Sequence, residues 1–344
     1  MSQSMRKWRL AAPGVEHLVL DTAARPLPGP GEIVVRVGAV SLNYRDLIIV
    51  RGDDADNPPQ LPLTPASDMA GTVAALGAGV TRFREGDDVI STFWAGWIDG
   101  RWHEGARQLG SALPGMLAEY VVLHEDWAVR APRTLNAAQA STLPCAGLTA
   151  WFALVETGAI HAGQTVLVQG TGGVALFGAQ LARAHGADVI VISGSEDKLR
   201  RVRELGATHG IGRTANGDWA GAARELTGGR GVDHIFELAG GDNLHASVRA
   251  LAQGGRISLI GVLDGFCMSL PSVPSFLGRP TIQGIGVGHR RALEDLVRAV
   301  DKLKLEPVID TTYAFDAVPD AIAHLARGAF GKIVVDVGER AMTA

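Results

Sequence analysis

The chain has 344 residues, a formal net charge of −4, 47% hydrophobic and 20% charged residues. That length exceeds one comfortable core, so two domains are expected, and the charge offers no basic field for nucleic acid or an anionic membrane. Cys145 and Cys267 are too few for a disulfide scaffold; with no apolar signal segment behind Met1 and no run of spanning length, a cytoplasmic protein is expected.

Residues 1–135 read as β-rich. After the turn Pro28-Gly29-Pro30-Gly31, the residues Ile33, Val35, Val37 and Ala39 alternate with polar or small ones. Further strands are expected at 70–76, 87–92 and 117–123, a spacing that suits a barrel or sandwich. From 147 to 286 the period changes. Strands at 165–169, 188–193, 209–212, 233–238 and 256–261 alternate with helical patterns, which calls for a parallel sheet covered on both faces. A strand-like run at 281–287 closes that half and offers an edge to another subunit. A helix over 290–304 puts Leu293, Leu296, Val297, Val300 and Leu303 on one face. Lys332-Ile-Val-Val-Asp336 is a last strand. The organisation expected is a β-rich domain over 1–146, a dinucleotide-binding domain over 147–286, and a segment 287–344 that returns to the first.

Residues 166–175 carry the sharpest local signal. An apolar strand runs into Gly170-Thr171-Gly172-Gly173-Val174-Ala175, and a helical pattern through Leu176, Ala179, Leu181 and Ala182 follows. Strand, glycine turn and helix in that order open a dinucleotide-binding βαβ unit. Gly170 permits the tight turn, Gly172 lets the backbone approach a pyrophosphate, and Ala175 is the small residue that allows close packing of helix on strand. The helix N-terminus presents unpaired N–H groups to the phosphates. Leu238-Ala239-Gly240, Ile260-Gly261-Val262 and Ile285-Gly286-Val287 follow strand ends, where backbone suits adenine, ribose and nicotinamide contacts.

A site that prefers NAD places an acid at the end of its second strand, to hold the ribose 2′-hydroxyl. Here that strand runs into Ser193-Gly194-Ser195, with Ser193 at the acid's position. Small hydroxyls can donate to a 2′-phosphate, and Lys198 can neutralise it. Arg213, just after the third strand, is a second cation within reach. NADP, as NADPH, is therefore expected over NAD. Glu196 and Asp197 blunt the argument, and Lys198 also reads as the solvated first turn of an ordinary helix.

Several segments combine into a resemblance: Ser41-Leu-Asn-Tyr-Arg-Asp46, Gly71-Thr-Val, Phe83-Arg-Glu-Gly-Asp-Asp-Val89, Leu143-Pro-Cys-Ala-Gly-Leu-Thr-Ala-Trp151, the glycine turn, Thr227-Gly-Gly-Arg-Gly-Val-Asp233, Gly254-Gly-Arg-Ile257 and Phe330-Gly331-Lys332. Over nearly its whole length the chain resembles the medium-chain dehydrogenase/reductase superfamily. The subgroup it is most similar to is the zinc-independent, alcohol-dehydrogenase-like and quinone-oxidoreductase-like members. The resemblance implies an α/β fold in which a GroES-like β-rich catalytic domain is split around a Rossmann domain with a doubly wound parallel sheet. It also implies an active site in the cleft between the domains and a homodimer. In similar proteins Thr149 would meet the nicotinamide end, and Lys332 would reach back to the cofactor cleft; a plain surface lysine is the competing reading.

Zinc-dependent relatives hold a catalytic metal through a cysteine, the histidine of a Gly-His-Glu segment and a later cysteine. The matching positions here are Asn43, the segment Ala66-Ser67-Asp68, and Cys145. One soft ligand cannot make a tetrahedral site, and the four-cysteine structural zinc lobe is missing as well. No zinc is expected. A zinc ion takes the pKa of bound water from ~15.7 to ~7, roughly 12 kcal/mol of oxyanion stabilisation at ~1.36 kcal/mol per unit. A quinone or conjugated enone delocalises added electrons itself and needs positioning and one proton donor.

The chain is therefore expected to be a zinc-independent NADPH-dependent oxidoreductase acting on a small carbonyl or alcohol, a quinone or an enone. Tyr44 is the expected proton donor, because its segment approaches the nicotinamide in similar proteins. Half-buried packing with a satisfied hydroxyl is the alternative for Tyr44. Asn43 would hydrogen-bond the nicotinamide ribose or the substrate oxygen, and Arg45 would bind cofactor or lend positive potential, oriented by Asp46. The loop 51–57 lacks the tyrosine that some enoyl reductases of the superfamily carry there. Phe93, Trp94, Trp97 and Trp102 either wall a pocket or fill the space of the missing lobe. Cys145 reads as an inert buried thiol. Two other functions stay open: a metal-dependent alcohol dehydrogenase with an atypical ligand set, and a catalytically silent NADPH-binding sensor.

Overall fold

The structure is a computed structural model that describes residues 4–53, 58–214, 217–265 and 267–338. Residues 54–57 of the tyrosine-free loop thus lie outside the described residues. In chain order the first elements are β1 (Ser4–Leu10), β2 (Leu18–Ala24), β3 (Glu32–Leu42), α1 (Tyr44–Arg51), β4 (Asp68–Leu76) and β5 (Asp88–Ser91). Next come the short β6 (Trp94–Ala95) and β7 (Arg107–Gln108), then β8 (Tyr120–His124), β9 (Ala128–Arg130) and α2 (Ala137–Ala140). α3 (Leu148–Trp151) is a single turn flanked by π-helical turns at Leu143–Gly147 and Phe152–Glu156.

A strictly alternating stretch follows: β10 (Thr165–Gln169), α4 (Gly173–Ala184), β11 (Asp188–Ser193), α5 (Glu196–Glu204), β12 (His209–Gly212), α6 (Trp219–Leu226), β13 (Val232–Glu237), α7 (Asn243–Ala250), β14 (Leu251–Leu259), α8 (Ser272–Gly278) and β15 (Thr281–Gly284). The chain ends with α9 (Arg290–Leu303), β16 (Ile309–Ala314), α10 (Val318–Arg327) and β17 (Lys332–Asp336). These elements make two compact units: Met1–Leu148 with Gly288–Ala344, and Thr149–Val287.

In the first unit one seven-stranded sheet runs β16-β17-β3-β4-β5-β9, with β8 also pairing β3. β3 is its axis. Its alternating residues Ile33, Val35, Val37 and Ala39 are buried, but so are Val34 and Val40, because both of its faces are covered. The core around it includes Trp8, Leu10, Met69, Val73, Phe315, Val318 and Ile322, so the C-terminal segment completes the barrel-like core begun by the N-terminal strands. β17 pairs antiparallel with β3, with Ile333 opposite Leu42. The strand expected at 117–123 begins only at Tyr120. Residues 117–119 instead bond to β1, as Trp8 N–H donates to the Leu117 carbonyl and Glu119 N–H to that of Arg6. The helix at 290–303 buries Leu293, Leu296, Val297 and Val300, whereas Leu303 is exposed, next to the left-handed Lys304 that ends the helix.

In the second unit the six strands are ordered β12-β11-β10-β13-β14-β15, all pairs parallel. That is the doubly wound order in which the first strand lies beside the fourth, and ligands bind beyond the carboxyl ends at this reversal. Its central strands β10 and β11 are buried on both faces, as a covered parallel sheet requires. β15 stops at Gly284 rather than running to 287, because Val287 takes a positive φ of 67°. Among the described residues no helix is long and apolar enough to cross a membrane.

Candidate active and coenzyme sites

The segment after β3 is built by two ladders that converge on it. Pairing of β3 with β4 sets Ser41 opposite Asp68, and pairing with β17 brings Lys332 beside Asn43. Asn43 leaves the strand in extended conformation and precedes α1; its N–H donates to Asp46 Oδ2 at 2.8 Å, the reciprocal half of a helix-start box. The Lys332 ammonium donates to the Leu42 carbonyl and, at 2.6 Å, to Asn43 Oδ1. Asp68 accepts from Ser67 Oγ at 2.6 Å and from the Cys145 N–H at 3.0 Å.

All of these groups are buried, and burial dominates their protonation. It raises the Asp46 carboxyl to about 6 against the opposing charge of Arg45. It raises Asp68 as well, opposed chiefly by Lys332. The Lys332 ammonium is pushed down by the same desolvation and held up by Asp68. Cys145 keeps some exposure as a residue, yet its thiol is enclosed, and burial and then Asp68 push it far above its usual range. It is a thiol, not a nucleophile.

Tyr44, the first residue of α1, is 45% exposed. Asn43, by contrast, is 8% exposed, and its side chain also bears on the Asp68 carboxyl. Arg45 has three hydrogen-bond partners inside its own unit. It donates to the Leu109 carbonyl at 3.2 Å, Gln108 Oε1 at 2.9 Å and Ser111 Oγ at 2.9 Å, and lies over the Phe93 ring. The structure gives Arg45 a clamping role on the 108–111 loop. The aromatic loop divides: Phe93 and Trp97 are core, Trp94 is half-buried and Trp102 is 50% exposed.

In the second unit the turn Gly170-Thr171-Gly172-Gly173 joins β10 to α4. Gly170 has φ +79°, and a Cβ added at Gly170 or Gly172 would meet nothing within 4 Å. The backbone there is open to a pyrophosphate, and the residues fit the coenzyme for which the turn is shaped. Val174 is half-buried and Thr171 buried. Close contact of helix and sheet comes at Gly178, where a Cβ would lie 2.6 Å from the Phe236 ring. Ala175 is buried too, but Gly178 is the position where only glycine fits.

At the end of β11 Ser193 Oγ accepts from Ser195 N–H at 3.2 Å, and Ser195 Oγ caps α5 by accepting from Lys198 N–H at 3.3 Å. Each hydroxyl so used keeps its own proton for another acceptor. Gly194 is exposed, and Arg213, bonded through its N–H to the Ser193 carbonyl, carries an exposed side chain 4.0 Å from Asp264. Leu238 and Ala239 lie in a loop tied down from below. The fully buried Glu237 accepts from Ala239 and Gly240 N–H, Gln169 Nε2, Asn243 Nδ2 and Ser247 Oγ. This network was missed from the sequence; its signal was an acid and a glutamine ending two otherwise apolar strands.

Ile260 and Gly261 both donate to the Glu237 carbonyl, and a Cβ at Gly261 would meet the Leu238 carbonyl oxygen at 2.2 Å. Val262 follows them in the same loop. Ile285 and Val287 are buried at the end of β15, with Gly286 between them. Thr149 is buried in the α3 turn. Of the C-terminal trio, Phe330 is buried and Gly331 packs its Cα against the Val308 carbonyl. Lys332 is 4% exposed, so it is not a surface lysine. Its ammonium turns inward.

Residues 29–133 match the family described as alcohol dehydrogenase GroES-like domain, and residues 173–302 the one described as zinc-binding dehydrogenase. A zinc-type alcohol dehydrogenase-like protein of Schizosaccharomyces pombe is 37% identical over 320 residues, which cover 90% of this chain and 91% of that one. The chain belongs to the medium-chain dehydrogenase/reductase superfamily. Human quinone oxidoreductase is 25% identical, with coverage of 97% and 98%. The solved structure of a candidate alcohol dehydrogenase from Sinorhizobium meliloti 1021 superposes with a TM-score of 0.91 at 54% identity, covering 98% of this chain and 99% of that one. Another, described as an NAD-dependent alcohol dehydrogenase, gives 0.90 at 33% identity, with coverage of 97% and 100%. This superfamily member is an oxidoreductase of a kind that uses a nicotinamide coenzyme.

The zinc in those names does not fit the residues present. The three positions that hold it in zinc-dependent relatives carry an amide, a hydroxyl and a protonated thiol here, and the amide oxygen accepts from an ammonium. Among the described residues no group of three or more His, Cys, Asp and Glu side chains is placed to hold a metal.

Proposed function

We propose that the protein is a zinc-independent, NADP(H)-dependent oxidoreductase whose substrate is a small carbonyl or alcohol, a quinone or a conjugated enone. The observation that carries this reading is Lys332, whose buried ammonium lies where a catalytic metal would need anionic or neutral donors. An acceptor that stabilises added charge through its own conjugation is the natural substrate of such a site.

The second unit supports NADP(H) through Ser193 and Ser195, each with a hydroxyl proton to give, and through the cations Lys198 and Arg213 nearby. The bound coenzyme supplies the hydride or takes it up. The chain's own part is to bind and orient it: the open backbone at Gly170 and Gly172 for the pyrophosphate, and the loop held by Glu237 beyond β13. Tyr44 is proposed to give or take the proton at the substrate oxygen through its phenol, the one titratable group of the 43–46 segment with substantial exposure. The protein is proposed to work in the cytoplasm as a homodimer, supported by the exposed apolar residues Leu270, Val273, Phe276 and Leu277 around α8, beside the edge strand β15.

The test is NADPH oxidation against a panel of quinones, enones and aldehydes. Tyr44→Phe is expected to lower kcat by about 10²-fold or more with the KM for NADPH unchanged. An unchanged kcat with a good acceptor removes Tyr44 from the chemistry. Lys198→Ala is expected to raise the KM for NADPH while leaving that for NADH where it was; equal effects on both would remove the phosphate reading.

A further inference from the structure

Four segments far apart in sequence converge around one buried nitrogen, two of them by their charge or through each other rather than by direct contact. β3 contributes the Leu42 carbonyl, the following residue Asn43 its Oδ1, β4 the carboxylate of Asp68, the turn at 143–147 the Cys145 N–H held by that carboxylate, and β17 Lys332 itself. Asp68 is 0% and Asp46 1% exposed, so two acids lie in a dry interior with one ammonium. The groups that face it are Asp68, Asp46 and the Cys145 thiol, and Arg45 touches Asp46 from outside at 3.7 Å.

We infer that the Lys332 ammonium is the resident cation of this site: it performs the cross-linking and charge-neutralising work of a metal ion, and through Leu42 and Asn43 it holds the start of α1 and so the placement of Tyr44. Lys332 is a positioning residue; only the consequence for turnover rests on the reading of Tyr44 given above. An ammonium has three donors and no acceptor, so the amide atom facing it must be Oδ1, which fixes the rotamer of Asn43. The tetrahedral donor set of the amine does for oxygen atoms what a metal does for its ligands. Asp68 acts on the ammonium through its charge rather than by direct contact, and removing one of two opposite buried charges is more costly than removing both, because the charge left behind has neither water nor counter-ion.

A double-variant cycle on the full-length protein tests this: wild type, Lys332→Met, Asp68→Asn and the pair together, with Lys332→Arg as the charge-preserving control. At about pH 8, Lys332→Met is expected to lower Tm by roughly 5–10 °C. The loss shrinks as pH falls, because the stranded carboxyl groups take up protons. The pair is expected to regain most of the loss, and Lys332→Arg to keep most of the wild-type Tm. In steady state Lys332→Met is expected to lose on the order of tenfold to a hundredfold in kcat with the KM for NADPH unchanged. Losses that simply add in the pair, or that do not vary with pH, would make Lys332 a packing residue and overturn the inference. Retention of one equivalent of zinc by the wild type after dialysis, displaced by no other change, would overturn it too. If the wild type oxidises no NADPH with any acceptor, the proposed function fails while the Tm cycle still decides the cation.

Discussion

Burial holds the His234 imidazole neutral down to about 4, well below its ordinary 6.5, with Asp233 opposing and Arg256 and His161 adding to the shift. Its Nε2 lies 3.2 Å from Gln164 Oε1, a contact that suits the neutral ring as donor. The unfolded chain therefore binds a proton that the folded chain refuses, and stability present above pH 6.5 is lost as pH falls toward 4. At ~1.36 kcal/mol per unit this single ring accounts for up to about 3 kcal/mol. Asp46 acts in the opposite sense: its carboxyl, raised to about 6, contributes stability below its ordinary 3.8 that is lost as pH rises through 6. His234→Gln is expected to flatten the acid side of the Tm profile and leave the alkaline side alone; parallel profiles for variant and wild type would remove this account. Residues of this kind were only partly legible in the sequence. Asn43, Tyr44, Arg45 and Asp46 announced themselves as a cluster, but Asp68 and Lys332 join them through strand register, which no local pattern encodes. Arg45 was expected to meet cofactor or acceptor; its hydrogen bonds to Gln108 and Ser111, more than sixty residues on, could not be read from the local pattern.

At the scale of elements, periodicity gave the alternating half almost strand for strand, because short β-runs there, apolar through the middle of β10 and β11, alternate with helical patterns and are bounded by glycine or polar turns. It failed where backbone changes partners. Residues 117–119 are extended but bond to β1, and the run after Gly284 is cut by the left-handed Val287. α1 was not foreseen, since eight residues beginning Tyr-Arg-Asp carry little helical period and depend on Asn43 and Asp46 to start. The α4–β13 contact supplies a sharp element-level prediction. Gly178→Ala raises intrinsic helix propensity by about 1 kcal/mol, yet the new methyl meets the fully buried Phe236 ring at 2.6 Å. Overpacking costs ~1–3 kcal/mol, so the variant is expected to be less stable in urea. Gly178→Ala combined with Phe236→Leu is expected to recover part of the loss, and a Gly178→Ala protein more stable than wild type would contradict the contact.

For the whole molecule, the family was legible because eight separated segments agreed, and the fold followed from it; what the sequence could not show was the inward turn of Lys332. Two measurements belong to this scale. Turnover by the proposed enzyme is expected to be unchanged after exhaustive treatment with chelator, and restoration of lost activity by zinc would refute the metal-free reading. Phe276 is 81% exposed on α8, so Phe276→Asp is expected to shift sedimentation from dimer to monomer; a wild type that already sediments as a monomer would dispose of the proposed assembly. The ladder between β3 and β17 has a consequence for how the protein comes into being. The acids stand at positions 46 and 68, and the amine that offsets their charge comes from β17, 290 positions after its Leu42 partner. Local folding cannot assemble such a site: the loop between β3 and β17 must close before the ammonium reaches its oxygen partners, so long-range closure of the barrel and competence of the site coincide.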